Sequence, residues 1–460
     1  MVSSILIYIF YFLLLLLIPF FFHKKKAGAI LFVLIFTAQF NVTCLIKLGI
    51  TFSFFEVALL ITSILIFIEQ VYKKCWSCRI SNVDIVFFLF LIFSFISVCI
   101  AFCRLLFGDL QLTSEYSTIP GVRSIMSLNK PLFYLLIIPV RNYISSQLSY
   151  DIYKEKFLKY LTYSGIIPSI AVVLQYLSIG FVVVHNNPSY SENVFKVVSY
   201  IGLRPVGLSN EAAGHCYELF FCLLGLFFSY YQRIISRSTF LLLYSLFFVS
   251  VILSISRTGL LFFIAYSAYA YMKHSGVSMK GILVLIFMGS FFTLLLGNLH
   301  IGGFNLFDRL LSTTDVEADL STIERYGLAH ALVNLAIDKS MVLGVGIYNY
   351  FYYLKFYLPD YMKDLVYERG FPLPSFNFIV QLWAEFGLPI FLLFMYMVVK
   401  YIRKCKNSFI NEWFLSLFLF ALSFQILNFS IPFVYLANLY TLFFSNLIHL
   451  TFTPLTVCIN

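Results

Sequence analysis

Residues Arg204–Glu218 read RPVGLSNEAAGHCYE and run directly into an apolar stretch that ends near Tyr231. An arginine, a glycine turn and two carboxylates at the mouth of an apolar helix are costly to hold in or beside hydrocarbon, so such a cluster is a functional candidate. The polar approach, His185–Gly202, shows where the chain enters the membrane. A second stretch of this kind, Ser254–Gly259 (SISRTG), is wedged between two apolar runs with almost no loop. Arg204 and Arg257 read as one anion site, provided that the topology brings them to the same face.

Composition supports a membrane setting. Of 460 residues, 61% are hydrophobic and 11% charged, whereas soluble domains carry about 25% charged residues. Apolar windows of about 20 residues recur along the whole chain. They leave room for one sizeable soluble segment, residues 298–375. The expected fold is an all-α polytopic bundle: transmembrane helices 1–10 within residues 1–297, a large helical loop at 298–375, and C-terminal transmembrane helices at 376–460. The first segment, Val2–Phe22, lacks a charged leader and is followed by Lys24, Lys25 and Lys26, so it reads as a retained helix. Nine cysteines are scattered mainly through apolar runs and read as small packing residues. Cys75-x-x-Cys78 has no second ligand pair nearby, and no metal site is expected there.

A net charge of +10 would suggest nucleic acid in a soluble protein, but here its distribution argues otherwise. Basic clusters at Lys24–Lys26, Lys73/Lys74/Arg79, Arg141–Lys159, Arg233/Arg237, Lys273/Lys280 and Lys400–Lys406 fall between alternate pairs of apolar runs. That is the positive-inside pattern, and it puts eighteen of the 31 Lys and Arg residues on the cytoplasmic side. Helices are expected near 2–22, 27–45, 52–71, 82–103, 124–140, 157–183, 209–231, 238–255, 257–272, 281–298, 376–400, 412–429 and 432–453. These give twelve or thirteen spans with the N-terminus outside, and place Arg204, Arg257 and loop 298–375 on one non-cytoplasmic face. Tyr143–Lys159 alternates apolar and charged residues at helical spacing and reads as an amphipathic helix on the cytoplasmic leaflet.

The loop has a helical pattern of its own. Ile323, Tyr326, Ala329, Ala331, Leu332, Leu335 and Ala336 recur at three-to-four spacing, with Asp319 or Ser321 as N-cap. Gly344-Val-Gly346 marks a turn, and Tyr348–Tyr361 is dense in aromatic rings that suit either sugar stacking or a membrane-interface belt.

No GxxxxGK[ST] loop and no GxGxxG after a strand is present, so neither ATP nor a nucleotide sugar has a recognisable seat. A substrate processed outside the cytoplasm must therefore arrive activated. A lipid-linked diphosphate sugar fits, because arginine's planar fork stabilises an anionic leaving group in a partly dry site. Asn210 or Ser209 can cap the helix behind Arg204, adding its dipole to the positive field. Glu211, His215 and Glu218 share one helix face by spacing, which admits an ion pair from Glu211 to an arginine, a general base, or a metal. Asp315, Glu317 and Asp319 read as a solvated acidic run. Arg325 opens the loop helix with His330 about a turn later, either on an exposed face or holding a diphosphate or glycan. Asn377, before a helix bearing Glu385 and Gly387, is either a cap or a sugar contact.

Taken together, these motifs resemble the bacterial O-antigen polymerase and ligase superfamily. The matching residues are Arg204-x-x-Gly207 with Asn210-Glu211, Ser256-Arg-x-Gly259, Arg325 with its amphipathic helix, Gly344-Val-Gly346, and Asn377 leading to Glu385-x-Gly387. They lie in the second half of the chain; the first half resembles the family only in hydropathy. The resemblance implies a metal-independent glycosyltransferase without a cofactor, acting on undecaprenyl-diphosphate-linked glycans at the periplasmic face of the inner membrane. Arg204, Arg257 and Arg325 would engage the diphosphate, Glu211 and His330 are candidate bases, and Asn210, His330, Tyr348 and Asn377 would line the substrate site. Implied partners are the lipid-linked glycan donor and acceptor, membrane lipids and a chain-length regulator protein, with no nucleic acid. Ligases of the family carry a histidine before the asparagine at the end of the loop, and Phe376 stands there in this chain. The expected function is therefore polymerisation of lipid-linked repeat units into O-antigen or a related surface polysaccharide. The alternatives are transfer of polymer to lipid A-core and a lipid-linked oligosaccharide flippase.

Overall fold

The computed structural model describes residues 2–40, 52–73, 75–78, 82–107, 125, 128, 132–177, 205–209, 212–275, 300–301, 304–305, 320–360, 362, 377–404, 408–421 and 455–458. The protein is all-α. The helices are α1 (Val2–His23), α2 (Ala27–Ala38), α3 (Phe54–Lys73), α4 (Asn82–Leu106), α5 (Ile137–Gln147), α6 (Tyr150–Ser164), α7 (Ile166–Tyr176), α8 (Ala212–Tyr231), α9 (Arg237–Leu253) and α10 (Arg257–Ser275). They continue as α11 (Leu320–Lys339), α12 (Tyr350–Tyr357), α13 (Phe378–Phe386), α14 (Leu388–Lys404) and α15 (Ser408–Ala421). Two short antiparallel pairs accompany them: Cys75–Cys78 with Leu455–Cys458, and His300–Ile301 with Phe304–Asn305.

Among the described residues four helical stretches are long and apolar enough to cross a membrane: Phe54–Lys73, Phe88–Leu106, Asp151–Tyr176 and Ala212–Tyr231. Shorter apolar helices lie at Tyr8–His23, Ala27–Ala38, Arg237–Leu253 and Leu388–Lys400. The expected spans 281–298 and 432–453 lie outside the described residues. Two expectations change in kind. The segment read as a surface helix at 143–159 is split at Leu148–Ser149, and its second part, α6, enters the bundle with Tyr153, Phe157, Leu158 and Leu161 buried. The span expected at 376–400 is broken at Gly387, whose φ of +86° separates α13 from α14. Glycine adopts that backbone without the Cβ penalty other residues carry.

The chain forms two compact units, each drawn from separate parts of the sequence: residues 1–65 with 143–315, and residues 66–142 with 316–460. In the first, α8 is the central helix. Every residue of its apolar window is buried, and it packs against α6, α9 and α10. In lipid, helix association rests on close packing and polar contacts rather than on expelling water, which favours small residues at contacts. Ala212, Ala213 and Gly214 open α8 accordingly, and all three are buried. At its other end the chain reverses through Arg233 at φ 58°, and Ser236 caps α9 by accepting from the Thr239 amide.

The second unit is organised by α4, held near both ends. Close to its start Asp84 meets Arg141 of α5 in a bidentate ion pair, 2.7 Å on each arm, with both side chains at 0% exposure. Close to its end Arg104 donates from Nε to Gly344 O (3.0 Å) and from one terminal nitrogen to Lys339 O (2.8 Å) and Leu343 O (3.2 Å). Carbonyls at a helix end have no partner in the helix, and a guanidinium is suited to several at once. Arg104 thereby fastens the end of α11 to α4. The following turn is fastened as well: the Val345 and Gly346 amides donate to Ala384 O and Glu385 O, Ser340 Oγ to Ala384 O, and Ser97 Oγ to Glu385 O.

Candidate functional site

The site begins at the turn Pro205–Ser209, immediately after Arg204. Gln175, in the last turn of α7, holds this turn with both the oxygen and the nitrogen of its amide. Its Oε1 accepts from the Val206 and Gly207 amides, both at 2.9 Å, and its Nε2 donates to Gly207 O at 2.8 Å. Gly207 has φ +62°, and a Cβ added there would stand 2.6 Å from His215 Nδ1. No side chain fits between that backbone and the imidazole.

His215 lies in the first turn of α8 and is fully buried. Its Nε2 is 2.8 Å from Ser250 Oγ of α9. One residue on, Cys216 Sγ is 3.1 Å from Ser254 Oγ, at the C-cap of α9. A Cβ added to Gly259 of α10 would stand 2.3 Å from Cys216 Cβ, so glycine is what permits this approach. The first turn of α8 therefore has the 205–209 turn on one side and the ends of α9 and α10 on the other.

Between α9 and α10 the link is only Ser254-Ile255-Ser256. Ile255 takes φ 52°, a strained choice for a β-branched residue, at a cost of about 1–3 kcal/mol. Such strain persists where the surroundings enforce it, and it clusters at functional sites. Ser256 Oγ accepts from the Gly259 amide at 3.3 Å, capping α10. Arg257 is thus the first residue of α10, at the positive end of that helix's dipole.

The other expected site residues are distributed as follows. Arg204, Asn210 and Glu211 lie outside the described residues. Glu218, on the same helix as His215, is buried within electrostatic reach of Tyr11 and Cys222. Arg325 belongs to the second turn of α11 in the other unit, and His330 is exposed on that helix with Nδ1 3.3 Å from Asn334 Nδ2. Tyr348 is half-buried at φ 57°, its ring stacked 6.3 Å from that of Phe351. Asn377 caps α13: its Oδ1 accepts from the Val380 amide at 3.1 Å. Within the aromatic run that suited sugar stacking or an interface belt, the rings at 350–353 are core, whereas Phe356 is exposed. Tyr350, Phe351, Tyr352 and Tyr353 are at most 4% exposed, packed with Leu328, Leu332 and Leu335 of α11. Among the described residues no group of three or more His, Cys, Asp or Glu gathers as metal ligands would.

Sequence reasoning singled out neither Gln175 nor Arg104. Gln175 gives no local signal, because its partners lie 31 and 32 residues away. Arg104 was detectable in principle, as a basic residue at the end of an apolar span outside the cytoplasmic clusters.

Residues 240–395 match the model of a family described as O-antigen ligase. The O-antigen ligase segment covers about a third of the chain, 156 of 460 residues. It includes Arg257, Arg325, His330, Tyr348 and Asn377, and leaves Arg204 and the first turn of α8 upstream. No curated protein and no solved structure matches the chain. Together with several apolar helices, the match points to a multi-pass membrane protein that is similar to O-antigen ligases over residues 240–395.

Proposed function

We propose that the protein polymerises undecaprenyl-diphosphate-linked repeat units into O-antigen or a related polysaccharide at the periplasmic face of the bacterial inner membrane. The observation that carries this reading is that the 205–209 turn and the Ser256 cap both abut the first turn of α8. The turn that follows Arg204 in sequence and the start of α10 at position 257 therefore meet at one end of α8. Two guanidinium groups beside a helix N-terminus are matched to a diphosphate.

In the reaction, a hydroxyl oxygen of the acceptor sugar forms a bond to the anomeric carbon of the donor glycan. The bond from that carbon to the phosphate oxygen breaks, and the electron pair leaves with undecaprenyl diphosphate. Arg204 and Arg257 stabilise the charge that develops there, and they supply this countercharge without a metal ion. The acceptor proton passes to a base, for which Glu211 and His330 are the candidates. Arg325, Asn210, Tyr348 and Asn377 are assigned to diphosphate or glycan binding.

The family description favours a second reading, transfer of finished polymer to lipid A-core. Phe376, where a ligase would carry histidine, favours polymerisation. Reconstitution with a synthetic lipid-linked repeat unit separates them. Polymer should form with chelator present and without any lipid A-core acceptor. Transfer only to added lipid A-core would make the protein a ligase, and movement of the lipid between leaflets without transfer would make it a flippase.

A further inference from the structure

Helices α2 and α6 run side by side in the same direction. Lys156 lies over Gly28, the ring of Tyr160 is 5.3 Å from that of Phe32, and Ser164 Oγ accepts from Gln39 Nε2 at 3.0 Å. This pairing brings two basic clusters, distant in the sequence, onto one surface: Lys24, Lys25 and Lys26 of the α1–α2 turn, all exposed, and Lys156 of α6. A Cβ added to Gly28 would stand 2.7 Å from Lys156 Nζ, so glycine is what lets the ammonium lie against the first turn of α2. That is the positive end of the helix dipole, where a cation is least favoured. Among the described residues no carboxylate comes within ion-pair distance of any of the four lysines, Asp151 and Glu155 of α6 included.

The turn itself holds its charge against backbone strain. The Lys26 amide donates to Phe21 O at 2.8 Å and the Lys25 amide to Phe22 O at 3.0 Å, the two bonds of a Schellman cap, with Lys25 at the left-handed position, φ 52°. Glycine is the ordinary residue there, and a lysine carries the Cβ penalty. Below Lys24, the exposed side chains of Leu13, Leu16, Leu17 and Phe20 follow one another at three-to-four spacing along α1. Clustered cations thus stand at the end of an uncovered apolar stripe, which is the complement of an anionic headgroup above its acyl chains.

We propose that Lys24, Lys25, Lys26 and Lys156 bind the phosphate of one anionic phospholipid whose acyl chains lie along the Leu13–Phe20 stripe of α1. Basic pockets between membrane helices suit such headgroups. The phosphate supplies the countercharge that four ammonium groups need at the start of α2, and it ties α1, α2 and α6 together. The site is separate from the transfer reaction proposed above, and its test needs no turnover.

The test is lipid binding to the full-length protein in a neutral detergent, read by native mass spectrometry while dioleoylphosphatidylglycerol is titrated at fixed salt. One lipid should bind saturably, ahead of any others. Lys24→Gln and Lys156→Gln should each weaken it about fivefold, and the double variant about 25-fold. Lys25→Gly removes a charge while relieving the backbone, so it should weaken lipid binding yet raise the lipid-free melting temperature; it also serves if a glutamine variant does not fold. Lys400→Gln of α14 changes the net charge equally and should bind as wild type does. The proposal is overturned if dioleoylphosphatidylcholine binds as tightly, if Lys400→Gln weakens binding as much as Lys156→Gln, or if Lys25→Gly binds like wild type. Glycerol phosphate binding as tightly as the whole lipid would make this a site for free anions and overturn the lipid assignment.

Discussion

Gly207 lies flat against the imidazole of His215, with room for no Cβ: one placed there would stand 2.6 Å from Nδ1. Gly207→Ala should therefore suffer twice. The left-handed backbone costs an alanine about 1–2 kcal/mol, and forcing the ring aside adds about 1–3 kcal/mol. Thermal unfolding of the purified variant should show the sum. His215→Ala in the same chain should return the second part but not the first. If Gly207→Ala is as stable as wild type, this contact is not rigid.

Arg257, as the first residue of α10 behind the Ser256 cap, should matter for its fork as well as its charge. Losing one charge-assisted contact to the leaving group should cost about 2.7–4 kcal/mol in the transition state. Arg257→Ala should thus collapse the glycan ladder seen by gel at matched expression, and Arg257→Lys should restore only a little, because an ammonium lacks the planar pair of donors. Wild-type ladders from both variants would sink the assignment.

Arg104 fastens the end of α11 to α4 through the carbonyls of Lys339, Leu343 and Gly344. Its removal leaves these acceptors short of a charged donor, at about 1.5–3 kcal/mol. Hydrogen exchange should rise over residues 320–346 in Arg104→Ala, with α6 and α8 unaffected. Arg104→Lys should resemble the alanine variant, since one ammonium on a flexible stem cannot span three carbonyls.

Asp84 and Arg141 form a fully buried pair. Breaking it from one side leaves an uncompensated charge, and Asp84→Asn or Arg141→Met alone should cost about 3–5 kcal/mol. The double variant Asp84→Leu/Arg141→Met should recover most of that loss, as apolar replacement of a buried pair is often neutral. The measurement is the melting temperature of each variant in one detergent. A double variant less stable than either single one would show that the pair itself stabilises the unit.

Much of the helix inventory is legible in the residue pattern. Apolar runs bounded by lysines and arginines mark α1 to α4, the small-residue start and unbroken apolar run mark α8, and three-to-four spacing marks α11, whose Leu328, Ala331, Leu332, Leu335 and Ala336 are buried. Asn377 reads as a cap and is one. These are local properties, set by neighbours within a turn or two, so a linear reading suffices. The aromatic run from Tyr348 leaves open which of its rings are covered, Tyr350 to Tyr353 being core and Phe356 exposed, because composition reports how apolar a surface is, and not what covers it.

What the sequence by itself determined is the class of molecule: hydropathy and charge asymmetry specify a membrane bundle, since a chain this apolar has no other stable solvent. Only the tertiary structure decided which side chains hold the candidate site in place. Gln175 reaches a turn 31 residues on, His215 reaches Ser250, and Arg104 reaches a carbonyl 240 residues away. Such bonds have no periodicity, because their geometry exists only once helices distant in the chain are packed side by side.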